Sequence, residues 1–270
     1  MIVEQIWTGN SFRNFNYVIA CPDTGEALAI DPLDYRKCLD VAEKRGWRIT
    51  QILNTHEHGD HTGGNHHMIE ATGAKLLAHE NAKAHIGGMD FGLKAGDVVK
   101  VGKSLDLLVL DTPGHTMAHI CLLSQTDIPA LFSGDTLFNA GAGNCHGGGH
   151  PVQLYETFIN QLAKLSEDTL IYPGHDYMAN NLEFTLAREA DNNKARVLLS
   201  EIRDRDPNNA LVSSLAIEKE INTFLCICRE IYGLISHIPT IYPYFQVQFE
   251  LHANRRPLMR WTCPFVTKRY

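Results

Sequence analysis

The sequence predicts an α/β protein: strands with interspersed helices to about residue 176, then a mostly helical segment. Three observations carry this. Short β-rich runs alternate with turn signals through the first half. Helical periodicity appears between them and takes over after residue 178. Chemistry-bearing residues fall where strands stop.

In chain order, "NYVIA" and "ALAIDP" are short strands separated by "CPDTGE", a hairpin-like arrangement. "YRKCLDVAEKRGW" reads as an amphipathic helix ended by glycine. "ITQILNT" is a strand, and a histidine-rich stretch starts where it stops. "AKLLAHE" is another strand. "SLDLLVLDTPGHT" and "HICLLSQ" form a pair, and "ALFSGDTLF" is one more strand. "VQLYETFINQLAKL" places Leu154, Phe158, Leu162 and Leu165 on one helical face. "DTLIYPGHDY" is read as the last strand and its loop. "MANNLEFTLAREADN" opens the helical segment, which runs to about residue 225. The expected organisation is a unit over 1–176 and a second over 177–270, with an atypical tail from about 226 that shows no clear period.

The chain has 270 residues, 44% hydrophobic and 20% charged, enough for a real core in one large domain or a main domain with a smaller appendix. Lys and Arg total 24 against 31 Asp and Glu, a formal charge of −7, which argues against nonspecific nucleic-acid binding. The N-terminus lacks a basic segment followed by an apolar one, so no secretory signal is expected. No apolar run reaches the ~18 residues of a membrane span. Seven cysteines without a CxxC pair point to a reducing, cytoplasmic setting. A monomer or weak oligomer is expected.

Histidine is the outlier, with 14 in the chain. After "ILNT" come His56, His58, Asp60 and His61. After "LVLDTPG" comes His115, after "LFSG" Asp135, and after "LIYPG" His175. Imidazole and carboxylate suit Zn²⁺ and also Fe or Mn. Seven such residues are too many for one tetrahedral ion but suit two ions if a carboxylate bridges them. His56 and His58 can point the same way along an extended segment. Asp60 and His61 follow in the turn and can face a second ion. Asp135, alone on its strand end, is the natural bridge. Glu57 should face away from the metals. His66 and His67 are read as helix-surface residues rather than ligands, and His79, His85, His119, His146 and His150 are likewise read as surface residues that do not ligate.

The order "THEHGDHTGGN … TPGHT … SGDTLF … YPGHDY" resembles the metallo-β-lactamase superfamily and, within it, glyoxalase II, the hydroxyacylglutathione hydrolase family. The resemblance runs from about Ile6 to about Phe224. It implies an αββα sandwich with a dinuclear site at one edge, followed by a helical substrate-binding domain. It implies His56, His58 and His115 on one ion, Asp60, His61 and His175 on the other, and Asp135 between them. The expected cofactor is two divalent ions, zinc first, with iron or manganese as alternatives. The implied reaction is hydrolysis of a thioester, S-D-lactoylglutathione being the family substrate, by a hydroxide bridging the two metals. Asp60 and Asp135 are the candidate catalytic residues, Asp60 to orient that hydroxide.

Tyr177 matches a family contact to glutathione. Asn144 and His146 stand where the family carries a basic residue and an aromatic, so recognition of the glutathione part is expected to be weakened or altered. Two rival readings are a persulfide dioxygenase with one iron on two histidines and an aspartate, and a non-enzymatic binding module on the same fold. "YPGHDY" with its helical extension favours the hydrolase over the first. The intact ligand set argues against the second.

Overall fold

The computed structural model describes residues 1–225. The atypical tail, with Cys226, Cys228, Cys263 and the basic residues Arg255, Arg256, Arg260, Lys268 and Arg269, lies outside the described residues.

Two six-stranded sheets form the body. In the first, β1 (Ile2–Trp7), β2 (Phe15–Ala20) and β3 (Glu26–Ile30) are antiparallel neighbours. Parallel strands β4 (Arg48–Leu53), β5 (Lys75–His79) and β6 (Phe91–Leu93) extend it. The second sheet begins with β7 (Val98–Val101), β8 (Leu105–Asp111), β9 (Ile120–Ser124) and β10 (Ala130–Gly134). A separate small hairpin, β11 (Leu137–Phe138) and β12 (Gly141–Ala142), follows β10. The second sheet is completed by β13 (Leu170–Pro173), parallel to β10, and β14 (Ser213–Ser214), antiparallel to β13.

Alternation along the strands decides what each face meets. Phe15, Tyr17 and Ile19 of β2 face Leu107, Val109, Leu122 and Phe132 of the second sheet, so the main core lies between the sheets. Val18 and Ala20 face the other way. They are covered by α1 (Tyr35–Arg45) and, beyond the short turn α2 (Gly59–Thr62), by α3 (Asn65–Thr72), through Cys38, Ala42 and Met68. The outer face of the second sheet buries Leu131 and Ile171 under Leu154 and Phe158 of α4 (Pro151–Asn160). The layers are therefore helix, sheet, sheet, helix. Each fully buried Leu, Ile or Phe contributes about 1.5–3 kcal/mol. Three further helices, α5 (Met178–Leu186), α6 (Asn193–Ile202) and α7 (Leu215–Ile221), pack on one another through Leu182, Leu199 and Ile221 and against Ala140.

Three details differ from the sequence reading. β13 is not the last strand: Ser213 and Ser214, inside the segment expected to be helical, pair with Ile171 and Leu170. That pairing satisfies backbone groups that an open β13 edge would leave exposed. Next, α4 stops at Asn160, Leu162 stays buried from a 3-10 turn over Leu162–Lys164, and Leu165 lies beyond it, half-buried. Finally, β6 has three residues and β7 four, too short for a period to show. No helix among the described residues is long and apolar enough to cross a membrane.

Candidate metal centre

The chemistry-bearing strand ends meet at one edge of the sandwich. β4 leads into His56 and His58, and the helical turn α2 that follows carries Asp60 and His61. Asn54 holds this turn by donating from Nδ2 to the His61 carbonyl at 3.1 Å. β8 leads to His115, β10 to Asp135 and β13 to His175. The glycine before His175 is required by closeness: a Cβ on Gly174 would collide with Asp135 Oδ1 and press on His61.

Each of the five imidazoles uses one ring nitrogen on the protein and aims the other at a shared space. His61 Nδ1 lies 2.9 Å from Asp31 Oδ2, and His175 Nδ1 lies 2.7 Å from the Phe12 carbonyl. His115 Nδ1 lies 2.6 Å from the Asn144 carbonyl, and His58 Nε2 lies 2.9 Å from the Gly147 carbonyl. Carboxylates and carbonyls only accept, so these four nitrogens carry the proton and donate. His56 Nδ1 faces Thr55 Oγ1 at 3.0 Å, and that hydroxyl already donates to Asp31 Oδ2, so it accepts from His56.

In the neutral, ligand-competent form of each ring the remaining nitrogen is a lone pair, and these nitrogens face one another. His56 Nε2 and His115 Nε2 stand 3.0 and 3.1 Å from His58 Nδ1. His61 Nε2 stands 3.2 Å from His175 Nε2. Opposed lone pairs form no hydrogen bond; a cation between them is what this donor set fits. Burial pushes the pKa of His56 and His115 down, which keeps both in the ligand-competent neutral form.

Asp135 spans both histidine groups. Its Oδ2 is 3.5 Å from His115 Nε2 and 3.1 Å from His175 Nε2, and its Oδ1 is 3.3 Å from His61 Nε2. Oδ1 is buried and has no hydrogen-bond partner among the described residues, a costly state that a bound ion relieves. Burial alone would raise the Asp135 pKa, but His175 and His61 hold it well below the usual carboxylate range. At His61 burial opposes a charge, yet Asp135 and Asp31 outweigh it and raise its pKa; the field that draws a proton there also favours a metal ion. Asp60 Oδ2 is 3.5 Å from His175 Nε2 and 3.7 Å from His61 Nε2, and it accepts from Asn14 Nδ2. The candidate ligand atoms form three overlapping groups: His56, His58 and His115; His56, His61 and Asp135; Asp60, His61 and His175.

Of the other residues singled out, Glu57 turns away from this space and accepts from Thr116 Oγ1 at 2.9 Å. His66 and His67 lie exposed on α3. The Tyr177 ring stacks on His175, its hydroxyl donates to the Phe12 carbonyl, and burial pushes its pKa up to about 12. Asn144 and His146 are exposed in the loop beside His115, with the His146 N–H donating to Asn144 Oδ1.

Two residues that orient the centre had no functional reading in the sequence. Asp31, at the end of β3, binds Thr55 and His61 together. The strand-end signal that marked Asp135 also marks "AIDP". His119 is no surface residue: it is fully buried, and its Nε2 accepts the Asp135 backbone N–H at 3.1 Å.

The fold and the centre define a class, a metallo-β-lactamase-fold protein built to hold divalent metal ions. A model of the metallo-β-lactamase superfamily matches residues 19–175, and one of the hydroxyacylglutathione hydrolase C-terminus matches residues 176–242. A protein of Polaromonas sp. strain JS666 named hydroxyacylglutathione hydrolase is 66% identical over 225 residues, 83% of this chain and 86% of that protein. One of the same name from Nitrosococcus oceani is 65% identical over 224 residues, 83% of this chain and 85% of that protein. Among solved structures, ETHE1 from Myxococcus xanthus superposes with a TM-score of 0.65 at 26% identity, over 89% of this chain and 93% of that one. The chain belongs to the hydroxyacylglutathione hydrolase family of the metallo-β-lactamase superfamily. It is an enzyme, a hydrolase of the thioesterase type.

Proposed function

We propose that the chain hydrolyses S-D-lactoylglutathione to D-lactate and glutathione, the step that completes disposal of methylglyoxal as its glutathione thioester. The observation that carries this is the set of opposed lone pairs around one buried carboxylate, within a chain two-thirds identical to named hydroxyacylglutathione hydrolases. His56, His58 and His115 would hold one ion, Asp60, His61 and His175 the other, and Asp135 would serve both. Zinc is the first choice, and the nitrogen and oxygen donors also admit iron or manganese. Two ions held there supply Lewis acidity, polarising a thioester carbonyl and lowering the pKa of water from 15.7 towards ~7.

The chain's own groups do the rest. Asp60, held by Asn14 and partly exposed, orients the attacking water towards the carbonyl carbon. Asp135 stays ionised and balances positive charge at the centre of the site. The departing thiolate is a good leaving group and needs no protein acid. Tyr177 already donates its proton to Phe12, so its hydroxyl lone pairs are left to accept from a substrate N–H. The Asn144 amide and the His146 ring take the remaining contacts with the thiol carrier. They lack the fixed positive charge the family uses there, so a weakened preference for glutathione is expected. A reducing, cytoplasmic setting suits Cys21, Cys38, Cys121 and Cys145, all free thiols.

The test is kinetic: purified, metal-loaded protein assayed on S-D-lactoylglutathione and on a simple acyl thioester. Turnover of the first, with a modest advantage over the second, supports the reading; turnover of neither sinks it. Metal analysis separates it from the dioxygenase alternative, since about two ions per chain supports hydrolysis, while one iron with oxygen consumption does not.

A further inference from the structure

We propose that the glycine-rich loop over 143–149 controls occupancy of the first metal position, the one formed by His56, His58 and His115; this rests on the two-ion reading above. The loop follows β12 and lies over the site, with Asn144, His146, Gly147 and Gly148 exposed. Its carbonyls are the partners of two of the three histidines. Asn144 accepts from His115 Nδ1 and Gly147 accepts from His58 Nε2.

The two bonds fix opposite tautomers. His115 is left with Nε2 free, and His58 with Nδ1 free, although it carries the same side chain. Among the five candidate histidines, His58 alone presents Nδ1 to the shared space. Without the Gly147 carbonyl nothing in the described structure specifies that choice, and a His58 ring protonated on Nδ1 offers no lone pair to the ion. Close approach is what makes the carbonyls reach. A Cβ on Gly147 would stand 2.6 Å from His58 Nε2, inside the hydrogen bond. Cβ atoms on Gly143 and Gly149 would overlap the Asp135 and His115 carbonyls.

The second position is oriented from elsewhere. His61 is held by Asp31 at the end of β3, and His175 by Phe12 in the connection between β1 and β2. The second position therefore depends on β3 and an N-terminal turn, whereas two of the three histidines of the first, His58 and His115, depend on one exposed loop, His56 alone being held from the β3 end through Thr55 and Asp31. A change in the loop should empty the first position and leave the second filled.

Two measurements test this. The variant Gly147→Ala is dialysed against buffered free Zn²⁺, and metal per chain and the two affinities are read by elemental analysis and chelator competition. The expected result is one ion per chain, with first-position affinity down about 10–100-fold, the usual effect of losing a ligand's outer partner, and the second unchanged. Retention of that second ion also shows that the variant is folded. Two ions bound with wild-type affinities, or equal weakening of both positions, overturns the proposal. A wild-type chain that binds one ion overturns the two-ion reading and this proposal with it. The second measurement needs no variant: long-range ¹⁵N–¹H correlation on histidine-labelled wild-type protein. His58 is expected protonated on Nε2 and His115 on Nδ1, and the reverse at either residue overturns the proposal.

Discussion

Asp31 holds His61 by the ring nitrogen that a metal does not need, while its other contacts fix Thr55. Its φ is +48°, a conformation that Asn also adopts readily, so Asp31→Asn removes the charge without straining the backbone. Metal affinity at the Asp60–His61–His175 position is expected to fall about 10–100-fold, measured by chelator competition; an unchanged affinity would show that Asp31 is only a fold residue. Asp135 touches both histidine groups directly, so Asp135→Ala should cost more than ~100-fold in turnover and much of the bound metal. The seven candidate ligands were legible in the sequence because their side-chain chemistry repeats after four strands. Asp31 and His119 were not. One carboxylate in "AIDP" also reads as a turn former, and its work depends on β3 lying beside β4, which the sequence does not state. His119 orients Asp135 only because β9 and β10 are neighbours.

At the level of elements, α7 reaches back to the segment that follows Asp135. Glu218 is fully buried and accepts from four neutral donors: the Ala140 N–H, Ser213 Oγ, Asn139 Nδ2 and Asn222 Nδ2. Ala140, between β11 and β12, sits at φ +56°, so the loop needs that anchor. Glu218→Ala leaves several buried donors without a partner, each costing about 1–3 kcal/mol, and a loss above ~2 kcal/mol in urea unfolding is expected. Burial raises the Glu218 pKa above its ordinary 4.5, with the donors offsetting only part of the shift. The fold thus favours the protonated acid: its contribution is full below the ordinary value and is lost as pH rises through the raised one. In metal-free protein the wild type should therefore lose stability relative to Glu218→Gln as pH climbs from about 4.5. A stability difference that does not change with pH would show that Glu218 is not titrating in the folded state. The helices of this segment were legible from their period. β14 was not, because two residues carry no alternation, and their pairing is decided by the open edge of β13.

For the molecule as a whole, the αββα order followed from the motif resemblance, whereas composition and periodicity reached only α/β. The structure adds the reason the site sits where it does. The first sheet supplies His56, His58, Asp60 and His61, and the second supplies His115, Asp135 and His175. Each proposed ion would therefore join the two sheets at the edge where their apolar core runs out, acting as a polar counterpart to Phe15, Tyr17 and Phe132 inside. An ion that binds only the folded chain stabilises it by about 2.7 kcal/mol when its free concentration is 100 times its Kd. For a chain of this size 1 kcal/mol moves the melting temperature by roughly 2–4 °C. Stripping both ions should then lower Tm by on the order of 10–20 °C, read by calorimetry before and after chelation, with Zn²⁺ restoring it. Far-ultraviolet circular dichroism should change little, because the apolar contacts between the sheets do not involve the ligands. Complete metal removal, checked by elemental analysis, with no shift in Tm would mean that the strand ends hold their positions unaided and that the ions serve the chemistry alone.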